Sequence, residues 1–252
     1  MSTVTGGQGN IVTNGLILNL DAANPRSYPQ PYNGVTWTDI SGNSRNGTLT
    51  NGPTFNSSNG GSVVFDGTND YAAFPAGTFG YSPGTTGDVS LEMWIYPTGP
   101  YTAYISEPPT TNLGGFFGQG YFGNTAGWGL GMLTQSSINY WAWQVRNAGT
   151  IVQPALTVSF TNNSWYHVVG TFIRNDFSRL YINGTLRSSA SSAPLNGISI
   201  TPNISFAAIG NGGQTNNFSS GCRIATARIY SKGLSQQEVL QNFNATRARF
   251  GV

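Results

Sequence analysis

The sequence predicts an all-β protein, a two-sheet antiparallel jelly-roll β-sandwich carrying one short C-terminal helix. Three observations lead there. Short apolar or alternating runs recur along the whole chain, and they are separated by turn punctuation. Eight Asn-Gly pairs, beginning at Asn14, Asn33, Asn46, Asn51, Asn59, Asn183, Asn196 and Asn211, supply residues that tolerate the positive φ of tight turns. Only 8% of residues are charged while 34 are glycine, so polarity rests on Asn, Ser, Thr and backbone groups.

The strands follow in order as "LILNL", "SVVFD", "VSLEMWIY", "YWAWQV", "WYHVVGTFI", "RLYING", "ISFAAIG" and "CRIATARIY". Runs of this length and spacing fit a sandwich or jelly roll. In "VSLEMWIY" alternation sends Val89, Leu91, Met93 and Ile95 to the core and leaves Glu92, Trp94 and Tyr96 opposite. In "YWAWQVR" it groups Trp141, Trp143 and Val145 as core against Tyr140, Ala142, Gln144 and Arg146. His167, the single histidine, shares a strand face with Trp165, Val169 and Thr171. Both faces of that strand are largely apolar, as in a central strand covered on both sides. Asn183-Gly184 predicts a type I′ turn into the next strand. The helix lies in "LSQQEVLQNFNATRARFG": Ser235 and Glu238 form a capping box, Leu234 and Val239 a staple, and Val239, Leu240 and Phe243 the docking stripe. Residues 1–14 are polar and glycine-rich and read as an N-terminal arm. Residues 15–252 read as a single domain, with long loops around 24–60 and 107–127.

Composition excludes several functions. The net charge is +2, and the arginines are scattered with Lys232 the one lysine, so no basic patch exists for nucleic acid. No window approaches the ~20 apolar residues of a membrane span. The first residues contain neither a basic nor an apolar signal segment, which predicts synthesis in the cytoplasm without export. Cys222 stands alone, so no internal disulfide is expected. The acids are Asp21, Asp39, Asp66, Asp70, Asp88, Glu92, Glu107, Asp176 and Glu238, and no strand presents two of them at i, i+2 for glycosidic cleavage. Nothing beside His167 supplies a base with an orienting acid, so its role is read as structural. The expectation is a protein that is not an enzyme.

The hairpin "WYHVVGTF…RLYINGTL" resembles the signature of laminin-G-like domains of the concanavalin A-like lectin/glucanase superfamily. "GLILNLDAANPRSY", "WTDISGNSRNGTLTNGPTF", "GGSVVFDGTNDY", "VSLEMWIYP" and "RIATARIYSKGLSQQEVLQNFNATRARFG" extend the likeness over residues 15 to 251 in the family's order. The wording of "LDAANP" and "FDGTNDY" is similar to versions in tailed-phage virion proteins. The resemblance implies stacked sheets, one concave, and binding or structural roles more often than catalysis. It also implies a virion location, with other capsid or tail proteins, a host-surface glycan and further copies of the chain as partners. A freestanding carbohydrate-binding module and a glycoside hydrolase of the same fold are the alternatives.

Two sets of candidate residues follow. Glu92, Trp94, Tyr140, Gln144 and Arg146 are expected to line a concave glycan site, because an aromatic body with hydrogen-bonding neighbours suits a sugar. The competing expectation is that a loop or neighbouring subunit covers this face. Many relatives bind calcium at the sandwich rim, and Asp39 and Asn43 of "DISGN" with Asp66, Asn69 and Asp70 of "FDGTND" are the oxygen donors available for a structural calcium. Ordinary Asx-turns are the alternative use of the same residues. Relatives with acidic residues before the last strand differ here, where Ala225 and Thr226 stand.

Overall fold

The computed structural model describes residues 10–29, 34–74, 81–101, 112–119, 126–155, 157–202, 207–210 and 220–252. Among the described residues, two antiparallel sheets of eight strands each are formed. The first runs β14 (Thr185–Ser191), β13 (Phe177–Ile182), β12 (Tyr166–Phe172), β7 (Val89–Tyr101), β16 (Ser220–Tyr230), β5 (Ser62–Phe65) and β4 (Thr54–Asn56), with β1 (Leu16–Asp21) also pairing with β16. The second runs β11 (Thr150–Val152), β10 (Ile138–Asn147), β9 (Gly127–Gln135), β8 (Asn112–Gln119), β15 (Ala207–Ile209), β6 (Tyr71–Phe74), β3 (Gly47–Thr50) and β2 (Thr36–Trp37). The stretches expected as long loops therefore contain β2, β3 and β4, and β8, respectively.

Alternation places one continuous core between the sheets. Leu91, Met93 and Ile95 of β7 and Val168 and Phe172 of β12 meet Trp128, Leu130, Trp141, Trp143 and Val145 of β9 and β10. The sheets approach closely at Gly170, where an added Cβ would lie 2.2 Å from the Trp143 ring. The Trp143 indole donates to the Thr171 carbonyl at 3.1 Å, so its buried N–H is satisfied across the sandwich. Cys222 is buried in this core, and burial raises its thiol pKa, which leaves it protonated and inert.

The turn between β13 and β14 has positive φ at Asn183 (51°) and Gly184 (74°), the conformation that right-twisted hairpins require. The helix α1 (Gln236–Thr246) begins with the expected capping box, Ser235 and Glu238 bonding reciprocally. Its buried face differs from the expected stripe. Val239 and Phe243 are buried, but Leu240 is 45% exposed and Asn242 takes its place inside. No helix among the described residues is long and apolar enough to cross a membrane.

Residues 1–9 of the expected arm lie outside the described residues. Residues 10–14 belong to the fold instead of a free arm. Val12 is buried with Leu234 and Val239, its N–H donates to Asn242 Oδ1 at 2.7 Å, and Gln241 donates to the Asn10 carbonyl.

Candidate functional site

Strand register builds the polar centre of the first sheet. On its outer face one cross-strand row reads Leu186, Tyr181, Val169, Glu92, Arg228, Asn19, and the next passes from His167 through Trp94 and Thr226 to Asp21. Glu92 therefore sits inside a row of six strands with His167 and Arg228 as neighbours. Sequence reasoning found no acid for His167, because the two are 75 positions apart and only pairing of β7 with β12 joins them.

Glu92, His167 and Trp94 are closed off by α1 and the residues that follow it. Glu92 and His167 are 0% exposed and Arg228 is 3% exposed. Arg228 Nη1 donates to Glu92 Oε1 at 2.6 Å, and Asn242 Nδ2 donates to Oε2 at 2.5 Å. The Tyr230 hydroxyl donates to Oε2 at 3.4 Å and accepts from Asn242 at 2.9 Å. His167 Nε2 lies 3.2 Å from Oε1 but off the line of a hydrogen bond, and its Nδ1 meets no acceptor. Burial opposes the Glu92 charge, yet Arg228 and the His167 and Asn242 contacts hold the carboxyl down to about 2. Burial likewise opposes the Arg228 charge, and Glu92 more than restores it. Burial, followed by the nearby Glu92 charge, raises the Tyr230 pKa.

Trp94 belongs to the same cover. Its ring stacks on Phe250 at 4.0 Å and on Phe243 at 5.9 Å, and its indole N–H donates to Thr246 at 2.7 Å. Buried and ionised beside Arg228 and Asn242, this carboxylate fastens α1 to the sheet.

The five residues expected to share one concave site are split between the two sheets. Glu92 and Trp94 lie under α1 on the first sheet, whereas Tyr140, Gln144 and Arg146 lie on the outer side of β10 in the second. Gln144 and Arg146 are buried, and Gln144 donates its amide to Gln153. Across the sheet Gln144 is followed by Gly129, Gly118, Ala208 and Ala73, a row that offers no ring for stacking.

The calcium candidates lie in two separate turns. Asp39 Oδ1 accepts from the Asn19 and Ser41 N–H groups, and Oδ2 accepts from the Ser41 hydroxyl and the Arg45 N–H. Asn43 donates to the Ser41 hydroxyl. Asp66 accepts from Thr68 and Asn69, and Asp70 accepts from the Asp66 N–H, all within the turn joining β5 to β6. The bonds of Asp39 to the Ser41 N–H and of Asp66 to the Thr68 N–H, each two residues on, are Asx-turns. No group of three or more His, Cys, Asp or Glu suited to a metal ion occurs among the described residues.

What the outer surface of the first sheet does present is partly exposed. Beyond α1, Tyr96 pairs with Arg223 across β7 and β16, the guanidinium lying 4.9 Å from the ring centre. Trp165 adjoins Tyr96 at 5.3 Å and donates to Asn59.

A laminin-G-type model described as the concanavalin A-like lectin/glucanases superfamily matches residues 66–240. The chain belongs to this superfamily. No curated protein matches it. Among solved structures, the binding domain of botulinum neurotoxin DC in complex with rat synaptotagmin II has a TM-score of 0.64 at 16% identity, covering 93% of this chain and 52% of that one. The botulinum neurotoxin serotype D ligand-binding domain in complex with N-acetylneuraminic acid gives 0.61 and 15%, covering 92% and 51%. A Trypanosoma rangeli sialidase mutant displaying trans-sialidase activity gives 0.62 and 17%, covering 96% and 34%. At these identities the likeness is one of fold, and the chain spans about half or a third of the matched chains.

Proposed function

We propose that this domain is a non-enzymatic, lectin-like binding protein of a tailed-phage particle, serving as capsid decoration or as part of a tail fibre. The observation that carries the binding half is the fate of Glu92 and His167. This carboxylate–histidine pair is sealed beneath α1, while aromatic, guanidinium and amide groups remain at the surface. Neighbours of the same fold include toxin domains in complex with rat synaptotagmin II and with N-acetylneuraminic acid, which supports contact with a host surface. The virion half is supported by the resemblance of "LDAANP" and "FDGTNDY" to phage versions of the module.

Two experiments test the reading. A glycan array probed with the full chain is expected to show binding without release of reducing sugar, and turnover would overturn the non-enzymatic assignment. Gold-labelled antibody on purified particles is expected to mark the capsid or tail. Particles that lack the protein would overturn the virion assignment. The neutral surface and the polar residues 1–9 make those residues the expected anchor. Deleting them is expected to abolish particle attachment while folding persists, and unchanged attachment would reject the anchor.

A further inference from the structure

Of the Asn-Gly pairs that punctuate the chain, those at Asn14, Asn46, Asn51, Asn59, Asn183 and Asn196 fall among the described residues. Such a pair is chemically labile. Glycine has no Cβ, so its amide nitrogen can approach the side-chain carbonyl of the asparagine before it. The approach requires an asparagine side chain free to turn, and the fold grants that freedom unequally.

Five of these side chains are held. Asn46 Oδ1 accepts from the Asp39 N–H at 2.9 Å, and Gly47 is a buried residue of β3. Asn59 is held at both ends, its Nδ2 donating to the Arg249 carbonyl at 3.0 Å and its Oδ1 accepting from the Trp165 indole at 3.0 Å. Asn183 Oδ1 accepts from the His167 N–H at 2.9 Å, and a Cβ on Gly184 would lie 2.9 Å from the Phe243 ring. Asn51 donates to the Asn69 carbonyl at 2.8 Å, and Asn196 accepts from the Asn175 N–H at 3.2 Å. Asn14 differs. It is exposed, and among the described residues its side chain has no hydrogen-bond partner and the Gly15 N–H has no acceptor. The turn is closed by the Leu16 N–H donating to the Thr13 carbonyl at 3.1 Å, which leaves both reacting groups free.

We propose that Asn14 is a site of spontaneous deamidation whose isoaspartyl product releases residues 10–13 from α1. The Gly15 nitrogen attacks the Asn14 side-chain carbonyl carbon. A C–N bond forms, that nitrogen gives up its proton, and the side-chain amide leaves as ammonia. Water then opens the succinimide at either carbonyl, its hydroxyl going to the carbon and its proton to the nitrogen. One opening gives an aspartyl residue, the other an isoaspartyl residue whose main chain runs through the side-chain carbon. The extra backbone atom falls inside the turn. On one side β1 is paired with β16 along its length. On the other, the Val12 N–H donates to Asn242 Oδ1 at 2.7 Å and the Asn10 carbonyl accepts from Gln241 at 2.7 Å. A lengthened turn cannot keep both sides seated, and the short N-terminal side is the weaker.

The test is peptide mapping by mass spectrometry of the full chain aged at neutral pH, with a urea-unfolded control and the variants Asn14→Gln and Trp165→Phe. A hydrogen bond that must break before ring closure slows it about two- to tenfold. Asn14 is expected to convert first, Asn51 and Asn196 more slowly by that factor, and Asn59 more slowly again. The ranking is expected to disappear on unfolding. Asn14→Gln, whose longer side chain cyclises slowly, is expected to lose the product at this position. Trp165→Phe frees one end of Asn59 and is expected to speed its conversion about two- to tenfold. Conversion at Asn59 or Asn183 as fast as at Asn14 in the folded protein, or the same ranking in urea, would overturn the assignment. An Asn59 rate unmoved by Trp165→Phe would overturn its hydrogen-bond basis. In the isolated isoaspartyl form the Val12 amide is expected to exchange about tenfold faster or more, for a lost hydrogen bond. Exchange equal to that of fresh protein would overturn the release.

Discussion

Glu92→Gln removes one charge from the cluster under α1 while keeping its shape, and its consequences follow from the contacts. The carboxylate accepts from Arg228 at 2.6 Å and from Asn242 at 2.5 Å. A glutamine can serve one of these donors but places an N–H against the other. Arg228, 3% exposed, is then left without its counter-charge. Breaking a buried pair from one side costs about 3–5 kcal/mol. The titration gives a consistent figure. A carboxyl held at about 2 instead of 4.5 contributes on the order of 3 kcal/mol at neutral pH. The sign follows from the depressed folded-state value: the contribution is complete above about 4.5 and fades as pH falls toward 2. Urea unfolding at pH 7, 5 and 3 measures both. The variant is expected to be about 3–5 kcal/mol less stable at pH 7, with the gap narrowing at pH 3. Asp66 and Glu238, whose pKa values are also lowered, titrate in both proteins and drop out of the difference. Hydrogen exchange is expected to accelerate first in α1. A variant within 1 kcal/mol of the wild type, with the same slope against pH, would refute the role assigned to the pair.

Four further outcomes are expected. Ser235→Ala removes the helix cap and is expected to destabilise by about 1 kcal/mol in the same unfolding assay. Gly170→Ala drives a methyl into the Trp143 ring from a central strand and is expected to cost about 1–3 kcal/mol or more, with altered near-ultraviolet dichroism. Removing residues 1–14 deletes buried Val12 and its bond to Asn242, an expected loss of about 2–3 kcal/mol, whereas removing 1–9 leaves the unfolding midpoint unchanged. Chelator is expected to leave that midpoint unmoved, because Asp39 already accepts four local donors; a drop would mean that calcium holds the turns.

Alternation made the faces legible. Leu91, Met93 and Ile95 were assigned to one side of β7 and Glu92 and Trp94 to the other, and that is their arrangement. The same holds for Trp141, Trp143 and Val145 against Gln144 and Arg146, and for the capping box of α1. What period-two reasoning does not contain is which strand lies beside which, or what covers a face. Placing Glu92 and Tyr140 in one site required knowing the sheet of each strand, and they fall in different sheets. The cover did leave a trace in the sequence. Asn242 falls on the stripe of Val239 and Phe243, where an apolar residue is expected, and a polar residue there demands a buried partner. A lone Glu and a lone His in central strands were candidates for it.

The polar cluster sets the placement of α1. Apolar contacts of Val239 and Phe243 alone are non-directional and would tolerate a helix rotated or shifted along the sheet. The bonds from Asn242 to Glu92 and Tyr230, and from Val12 to Asn242, are directional and define one position. Fixed there, the helix covers Glu92, Trp94 and His167. Such a network specifies position as well as contributing stability. Its consequence is specific: Glu92→Gln is expected to loosen α1 against the sheet even where the variant remains folded. Hydrogen exchange of the α1 amides at such a temperature distinguishes this from simple unfolding, and exchange equal to that of the wild type would separate the network from the position of the helix.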